Sequence, residues 1–499
     1  MERLSPLDAS FLRAETPVAH MHVGWLALVE GPDGESGIDP DLLVRRIEAR
    51  LDHAPRFRKR IVDTPVGEPP LIDDPAFSVE RHVQALPVEK AIGPEALQSI
   101  LDRFLSAQLH RGRPLWELLI VPRLSDGRGA ILGKVHHALV DGVAAVELGT
   151  LLFDLEPDTA PAEVPDWEPE MPPSPVRLLI SSATDTALEQ FRTAGRMANL
   201  GLQPQRGLRV ADSMRRAAFQ MAREIAEPAP SSYLNAPVGP RRTLQTTTLS
   251  LERVLAVKER NGVKLNDIVL TLVSGALHEF SLLRSSEPGP LRAMIPINVR
   301  PGPDDDAAAG NRIAFGFVEL PVSIPDPLSR LRSIRRQSQA LRGGGRAAGS
   351  DALMQSVGML PGPIKSIATR VASSPRTFNL TVSNVPGPRL PLYAAGGEVA
   401  SIYPVIPLAG SHTLAIGVLT YGDGLHVALH ADPDNLPGPE QLPALFETAL
   451  DELEQASARQ PLPAAARSRA PKRSSEDRRG QTTPPRRRDS RRRGPAQPS

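Results

Sequence analysis

The sequence contains no cysteine, an absence that removes disulfides, thiolate nucleophiles, cysteine metal sites and any covalent thioester on the protein. Hydroxyl, imidazole, amine and carboxylate chemistry remain. Long apolar runs are also missing: the longest, around "DIVLTLVSGAL" (267–277), falls well short of the roughly 20 residues a membrane-spanning helix needs. The first residues, "MERLSPLDASFLRAE", carry charges where a signal peptide would need an apolar core, so a cytoplasmic protein without a membrane anchor is expected. Neither a G-x-S-x-G elbow nor a G-x-x-x-x-G-K-[ST] loop occurs, which leaves serine-hydrolase and P-loop readings without their local signatures.

Charge of one sign is scarce over most of the chain but not at its end. From Arg459 onward there are 13 basic and 3 acidic residues, leaving 45 basic against 54 acidic before it. An acidic body argues against nucleic-acid binding, and confines any attraction to polyanions or anionic membrane to the tail. The basic tail has no aromatic stacking module beside it, so no nucleic-acid partner is expected; tethering to an anionic membrane or lipid droplet fits it as well, as does a solvated tail without function.

With 499 residues the chain has room for two domains, linkers and a tail. Residues 1–155 alternate strand-like and helix-like segments: "HMHVGWLALVEG" (20–31), "PDLLVRRIEARLDHA" (40–54) and "PEALQSILDRFLSAQLH" (94–110), then "LWELLIVPRL" (115–124) and "GAILGKVHHAL" (129–139) as paired strands, and "VAAVELGTLLFDL" (143–155) as a buried helix. Residues 156–232 read as a Pro-rich, acidic linker followed by helices that bridge the halves or lie against lipid. Residues 233–457 form a second α/β set, with a hairpin closed at Asp423-Gly424 and a last helix over 439–457, and 458–499 read as a disordered basic tail.

The sharpest local signal is "HHALVDG" at 136–142, between an apolar strand and an apolar helix. A neutral imidazole at a strand end can take a proton from a hydroxyl attacking an activated carbonyl. Adjacent strand residues face opposite ways, so of His136 and His137 one points into a given cleft and the other buttresses it. Asp141 either organises the loop through a charged hydrogen bond or caps the helix that starts near Val143, and Gly142 permits backbone geometry that a side chain would block. His20 and His22 share a strand face, and Asp304, Asp305 and Asp306 form an acidic run; both are read as structural rather than metal-binding.

This string, together with "LSPLDASFL" (4–12), "RPLWE" (113–117), "LNDIVL" (265–270), "GNR" (310–312) and "VSNVPGP" (382–388), resembles the bacterial wax ester synthase/diacylglycerol acyltransferases, members of the CoA-dependent acyltransferase superfamily. The resemblance implies an α/β fold of two chloramphenicol-acetyltransferase-like domains with an active-site tunnel at their interface. It implies His137 as the base, Asp141 as an organiser working through an arginine (Arg58 or Arg300), acyl-CoA as donor, and a diacylglycerol or long-chain alcohol as acceptor. Acyl-CoA is then a substrate, and neither cofactor nor metal is called for. Trp116 either packs in the core or touches the acyl chain. Asn266 and Asp267 either cap the following helix or place an amide near the tunnel. Ser383 and Asn384 are candidates to donate hydrogen bonds to the developing oxyanion or the pantetheine arm, with Pro386-Gly387-Pro388 setting the turn. Two alternatives stand beside this reading: transfer to another hydroxyl or amine, and a non-catalytic lipid-binding or droplet-coating protein.

Overall fold

The computed structural model describes residues 2–31, 37–65, 67–87, 91–140, 142–157, 163–174, scattered positions between 176 and 188, 228–299, 312–343 and 376–460. Asp141, Arg300, the acidic run 304–306, most of the expected bridging helices and the tail beyond Gln460 lie outside the described residues.

Local chemistry accounts for the helix starts. In α1 (Pro6–Ala14), which follows β1 (Glu2–Arg3), the Ser5 hydroxyl accepts the Asp8 N–H at 3.1 Å and donates to the Asp8 carboxylate at 2.7 Å, with Pro6 at the first helical position. Next come β2 (His22–Val29), α2 (Pro40–Arg50), β3 (Lys59–Ile61), β4 (Pro70–Asp73), β5 (Val83–Ala85), α3 (Pro94–Ser106), β6 (Trp116–Val121), β7 (Gly129–His136) and α4 (Gly142–Leu152). The second half supplies β8 (Thr243–Ser250), a fifth helix α5 (Leu251–Asn261), α6 (Leu265–Leu283), β9 (Leu291–Val299), β10 (Arg312–Leu320) and α7 (Pro327–Gly343). After it run β11 (Leu380–Pro386), β12 (Tyr393–Ala394), β13 (Gly397–Val405), β14 (Leu414–Tyr421), β15 (Gly424–Ala431) and α8 (Leu442–Arg459). None of the described helices is long and apolar enough to cross a membrane.

Two six-stranded mixed sheets carry the fold, in the orders β12-β13-β2-β7-β6-β5 and β10-β9-β11-β14-β15-β8; β1, β4 and β3 make a small third sheet. The expected strand pair β6/β7 is present in antiparallel register, Trp116 opposite Val135. The hairpin β14/β15 is present too, but Tyr421 pairs with Gly424, so the turn residues are Gly422 and Asp423, one position earlier than expected. Gly422, at φ +52°, adopts the left-handed conformation that such a two-residue turn demands. The last helix runs to Arg459, slightly past the expected boundary.

The larger departure concerns β13. It lies in the span expected to form a separate C-terminal half, yet it pairs antiparallel with β2, Pro404 opposite Trp25 and Val405 opposite Gly24. The first sheet is thus completed by a strand from the second half. Close to this crossover the two sheets meet: a Cβ on Gly417 of β14 would stand 2.2 Å from the Pro404 carbonyl of β13, so glycine is what lets the backbones approach. Leu26, Leu132, Tyr403, Val405, Leu244 and Ala428, from both sheets, share one apolar cluster, and the Tyr403 and Thr248 hydroxyls lie 2.8 Å apart across it. Separate cores sit on the outer sides, one under α1, α2 and α4, the other around α6, which is buried nearly all round.

Candidate active site

β7 is buried at all eight positions because both of its faces are covered, Ile131 and Val135 by one core and Ala130 and Leu132 by the seam cluster. At its end the chain leaves the sheet in a tight turn. His136 pairs with His22 across the ladder, and its N–H donates to the Leu115 carbonyl at 2.9 Å. The His137 N–H donates to Met21 O at 2.9 Å, and Leu139 N–H closes back on His136 O at 2.9 Å before α4 begins at Gly142.

The two imidazoles are in different states. His136 is fully buried, and its Nδ1 accepts the Ala138 N–H at 3.0 Å. A neutral ring that accepts at Nδ1 carries its proton on Nε2, and that atom stands 3.7 Å from the Glu15 carboxylate. Burial depresses the His136 pKa, against the pull of Glu15. His137 is half-buried, its Nδ1 has no hydrogen-bond partner among the described residues, and its ring stacks on Phe11 with centroids 3.8 Å apart and planes at 15°. Desolvation pushes its pKa down to about 4, so the imidazole is neutral near pH 7 with a lone pair available. A proton acceptor in this state, at a strand end beside the junction of two sheets, is suited to deprotonating an alcohol.

A family model described as the wax ester synthase/diacylglycerol acyltransferase catalytic domain matches residues 4–269, and one for the WS/DGAT C-terminal domain matches 309–454. A putative diacylglycerol O-acyltransferase of Mycobacterium tuberculosis is 32% identical over 478 residues, covering 92% of each chain. The chain belongs to the wax ester synthase/diacylglycerol acyltransferase family. A second M. tuberculosis protein, a probable diacylglycerol O-acyltransferase, is 30% identical over 91% of this chain and 99% of its own. Among solved structures, the wax ester synthase/diacylglycerol acyltransferase from Marinobacter aquaeolei VT8 superposes with a TM-score of 0.64 at 24% identity, over 92% of this chain and 100% of that one. The first condensation domain of the CDA synthetase does so with 0.58 at 16% identity, over 92% and 96%. The α/β fold is therefore the one these enzymes share, and the protein is an acyltransferase.

In this acyltransferase the remaining motif residues fall into two groups. Trp116 is a packing residue: it is buried, its Nε1–H donates to Phe57 O at 2.7 Å, and its ring stacks on His82 at 4.6 Å. Its neighbour Leu115 makes the link to the histidines, through the carbonyl that receives the His136 N–H. Arg58 is buried, pairs with Asp52 and lies 4.9 Å over the Trp167 ring. The second group belongs to the other half. Asp267 accepts the Lys264 N–H at 3.1 Å at the start of α6, which is the capping role, and Asn266 beside it is half-buried. Ser383 and Asn384 lie on β11, opposite Gly417 and Val418, with Gly417 being the residue that abuts β13. Neither pair bonds to His136 or His137 among the described residues.

Two residues at the histidines were not singled out from sequence, Phe11 and Glu15. Phe11 is the next-to-last residue of the "LSPLDASFL" string and Glu15 follows one helical turn later; an aromatic and an acid four apart on an amphipathic helix was the available signal. His20 and His22 line a small cavity between the sheets with Lys134, Arg242, Val405 and His430.

Proposed function

We propose that this acyltransferase uses His137 as general base to esterify a lipid alcohol with acyl-CoA, forming triacylglycerol from diacylglycerol, wax ester from a long-chain alcohol, or both. The observation that carries this reading is the half-buried, neutral His137 ring on the strand-to-helix turn at the end of β7. The donor and acceptor approach it along the seam between the sheets, the course the expected tunnel takes. As the acceptor oxygen attacks the thioester carbonyl, the imidazole takes its proton; the C–O bond forms, the C–S bond breaks, and the proton passes to the departing CoA sulfur. Transfer is direct within one ternary complex, as the resemblance implies, and the absence of cysteine excludes a thioester intermediate on the protein. Asp141 and Gly142 organise the turn, while Ser383 and Asn384 supply hydrogen bonds to the oxyanion or the pantetheine arm. The scheme draws on no cofactor. The basic tail tethers a cytoplasmic enzyme to anionic lipid, where its substrates lie.

The test is CoA release with palmitoyl-CoA, offering a diacylglycerol or hexadecanol in parallel, with ester products identified by mass. His137→Ala should lower turnover by about 10²–10⁴-fold while leaving the fold intact. Undiminished turnover in a folded variant overturns the base assignment, and ester formed with neither acceptor would direct attention to a different hydroxyl or amine.

A further inference from the structure

A carboxylate with only 3% of its side chain exposed is costly to keep charged, and Glu15 is such a group at the end of α1. Burial works against its ionisation, yet hydrogen bonding toward His136 and from Gln108, with the charge of Arg111, holds its pKa below the usual carboxylate value. Gln108 donates to Glu15 Oε1 at 3.0 Å and Arg111 forms an ion pair with the other oxygen. That same oxygen faces His136 Nε2 at 3.7 Å. One turn back on the helix, joined by the Glu15 N–H to Phe11 O hydrogen bond of 3.1 Å, the Phe11 ring lies flat on His137.

We infer that α1 is the positioning element of the histidine pair, with Glu15 holding His136 and Phe11 holding His137. The inference rests on His137 acting as the base. His136 acts as a strut: Nδ1 takes the Ala138 N–H within the turn, and Nε2–H is directed at the Glu15 carboxylate 3.7 Å away. The imidazole so held sets the turn from His136 to Val140, and the turn sets the Cα–Cβ direction of His137. Phe11 then limits rotation of the His137 ring about its remaining torsion, so the lone pair keeps one direction. Both residues act through the histidines. Spacing is what allows one helix to do both, since residues four apart project from the same face and His136 and His137, adjacent at the end of a strand, diverge to either side of it.

The experiment compares Glu15→Ala, Glu15→Gln and Phe11→Leu in the full-length protein, measuring kcat, the KM for palmitoyl-CoA and Tm beside His137→Ala. Glu15→Ala should lower kcat by about 10²-fold, the scale of a misplaced catalytic group, with KM nearly unchanged. Glu15→Gln, whose amide oxygen still accepts from Nε2–H, should regain much of that loss. Phe11→Leu, which keeps apolar cover but not the flat stack, should lower kcat less than Glu15→Ala and again spare KM. Wild-type kcat in Glu15→Ala, a loss seen in KM alone, or a folded Glu15→Gln as slow as Glu15→Ala overturns the inference. If Glu15→Ala fails to fold, the Gln and Leu variants decide it: wild-type kcat in Phe11→Leu, or a folded Glu15→Gln as slow as His137→Ala, overturns it. Loss of turnover in His137→Ala with wild-type kcat in Glu15→Ala rejects the positioning role alone, whereas full activity in His137→Ala rejects the base reading beneath it.

Discussion

β7 and β15 are both the second strand of an antiparallel hairpin, both buried at all eight positions, and both rich in histidine near their ends. Their imidazoles differ in what holds them. On β15, His430 donates through Nδ1 to Ile406 O at 2.7 Å, while His426 meets Tyr421 O through Nε2 at 3.1 Å and Thr248 Oγ1 through Nδ1 at 3.0 Å. These rings tie loops and neighbouring strands together. At the end of β7, His136 accepts the Ala138 N–H through Nδ1, while the His137 ring stacks on Phe11. A depressed pKa does not separate the two cases: desolvation takes His137 to about 4, and takes His412 and His430 to about 4 and about 3. What separates them is position: His137 is half-buried on the turn before α4, whereas His412 and His430 are buried.

The sharpest way to break this comparison is to delete one ring from each strand. His136→Ala should lower kcat by about 10²-fold, because the turn carrying His137 loosens, and lower stability by about 2 kcal/mol as the Ala138 N–H loses its acceptor. His426→Ala should cost stability of the same order and leave kcat per folded molecule unchanged. Activity assays and urea unfolding on both variants check this, and equal losses of kcat would erase the distinction between the strands.

Acid should act on both strands, but on stability before activity. His137, His412 and His430 stay neutral in the folded protein far below 6.5, where the unfolded chain takes up protons. Their folded pKa values are depressed, so stability is complete above about 6.5 and falls as the pH drops toward 4, each histidine contributing about 1.4 kcal/mol per pH unit in that window. Tm measured against pH should show the decline. The kcat/KM of molecules still folded should stay level until the pH approaches 4, and an acid limb near 6.5 would mean that the catalytic imidazole is solvated rather than covered by Phe11.

The smallest effect expected is that of Thr248→Val. It removes the hydroxyl that joins Tyr403 and His426 across the seam, so about 1 kcal/mol of stability should be lost with no change in kcat. A change in kcat here would show that the β15 side of the seam takes part in the chemistry.

Much of the site was legible because its signals are local. The apolar run 129–135, two histidines and an apolar helix announce a strand, a turn and a helix, and alternation along the strand separates a buried histidine from an open one. Trp116 and Asp267 were legible only as pairs of alternatives, and the structure shows the packing contact of the one and the capping contact of the other. Phe11 and Glu15 were not legible as site residues, since an amphipathic helix near the start of a chain does not say which strand end it will cover. The sheet membership of β13 was equally hidden: its sequence reads as a strand in either half, and ladder bonds with β2 form only when segments distant along the chain come together.

Periodicity, helix caps, turns and the placement of two histidines at a strand-to-helix junction were decided along the chain, because they depend on dihedral preferences and on spacings of a few residues. The closing of the first sheet by β13, the carboxylate beside His136 and the ring over His137 were decided by tertiary structure. These are contacts between surfaces that no local spacing encodes, and desolvation, which keeps His137 neutral, exists only once those surfaces have met.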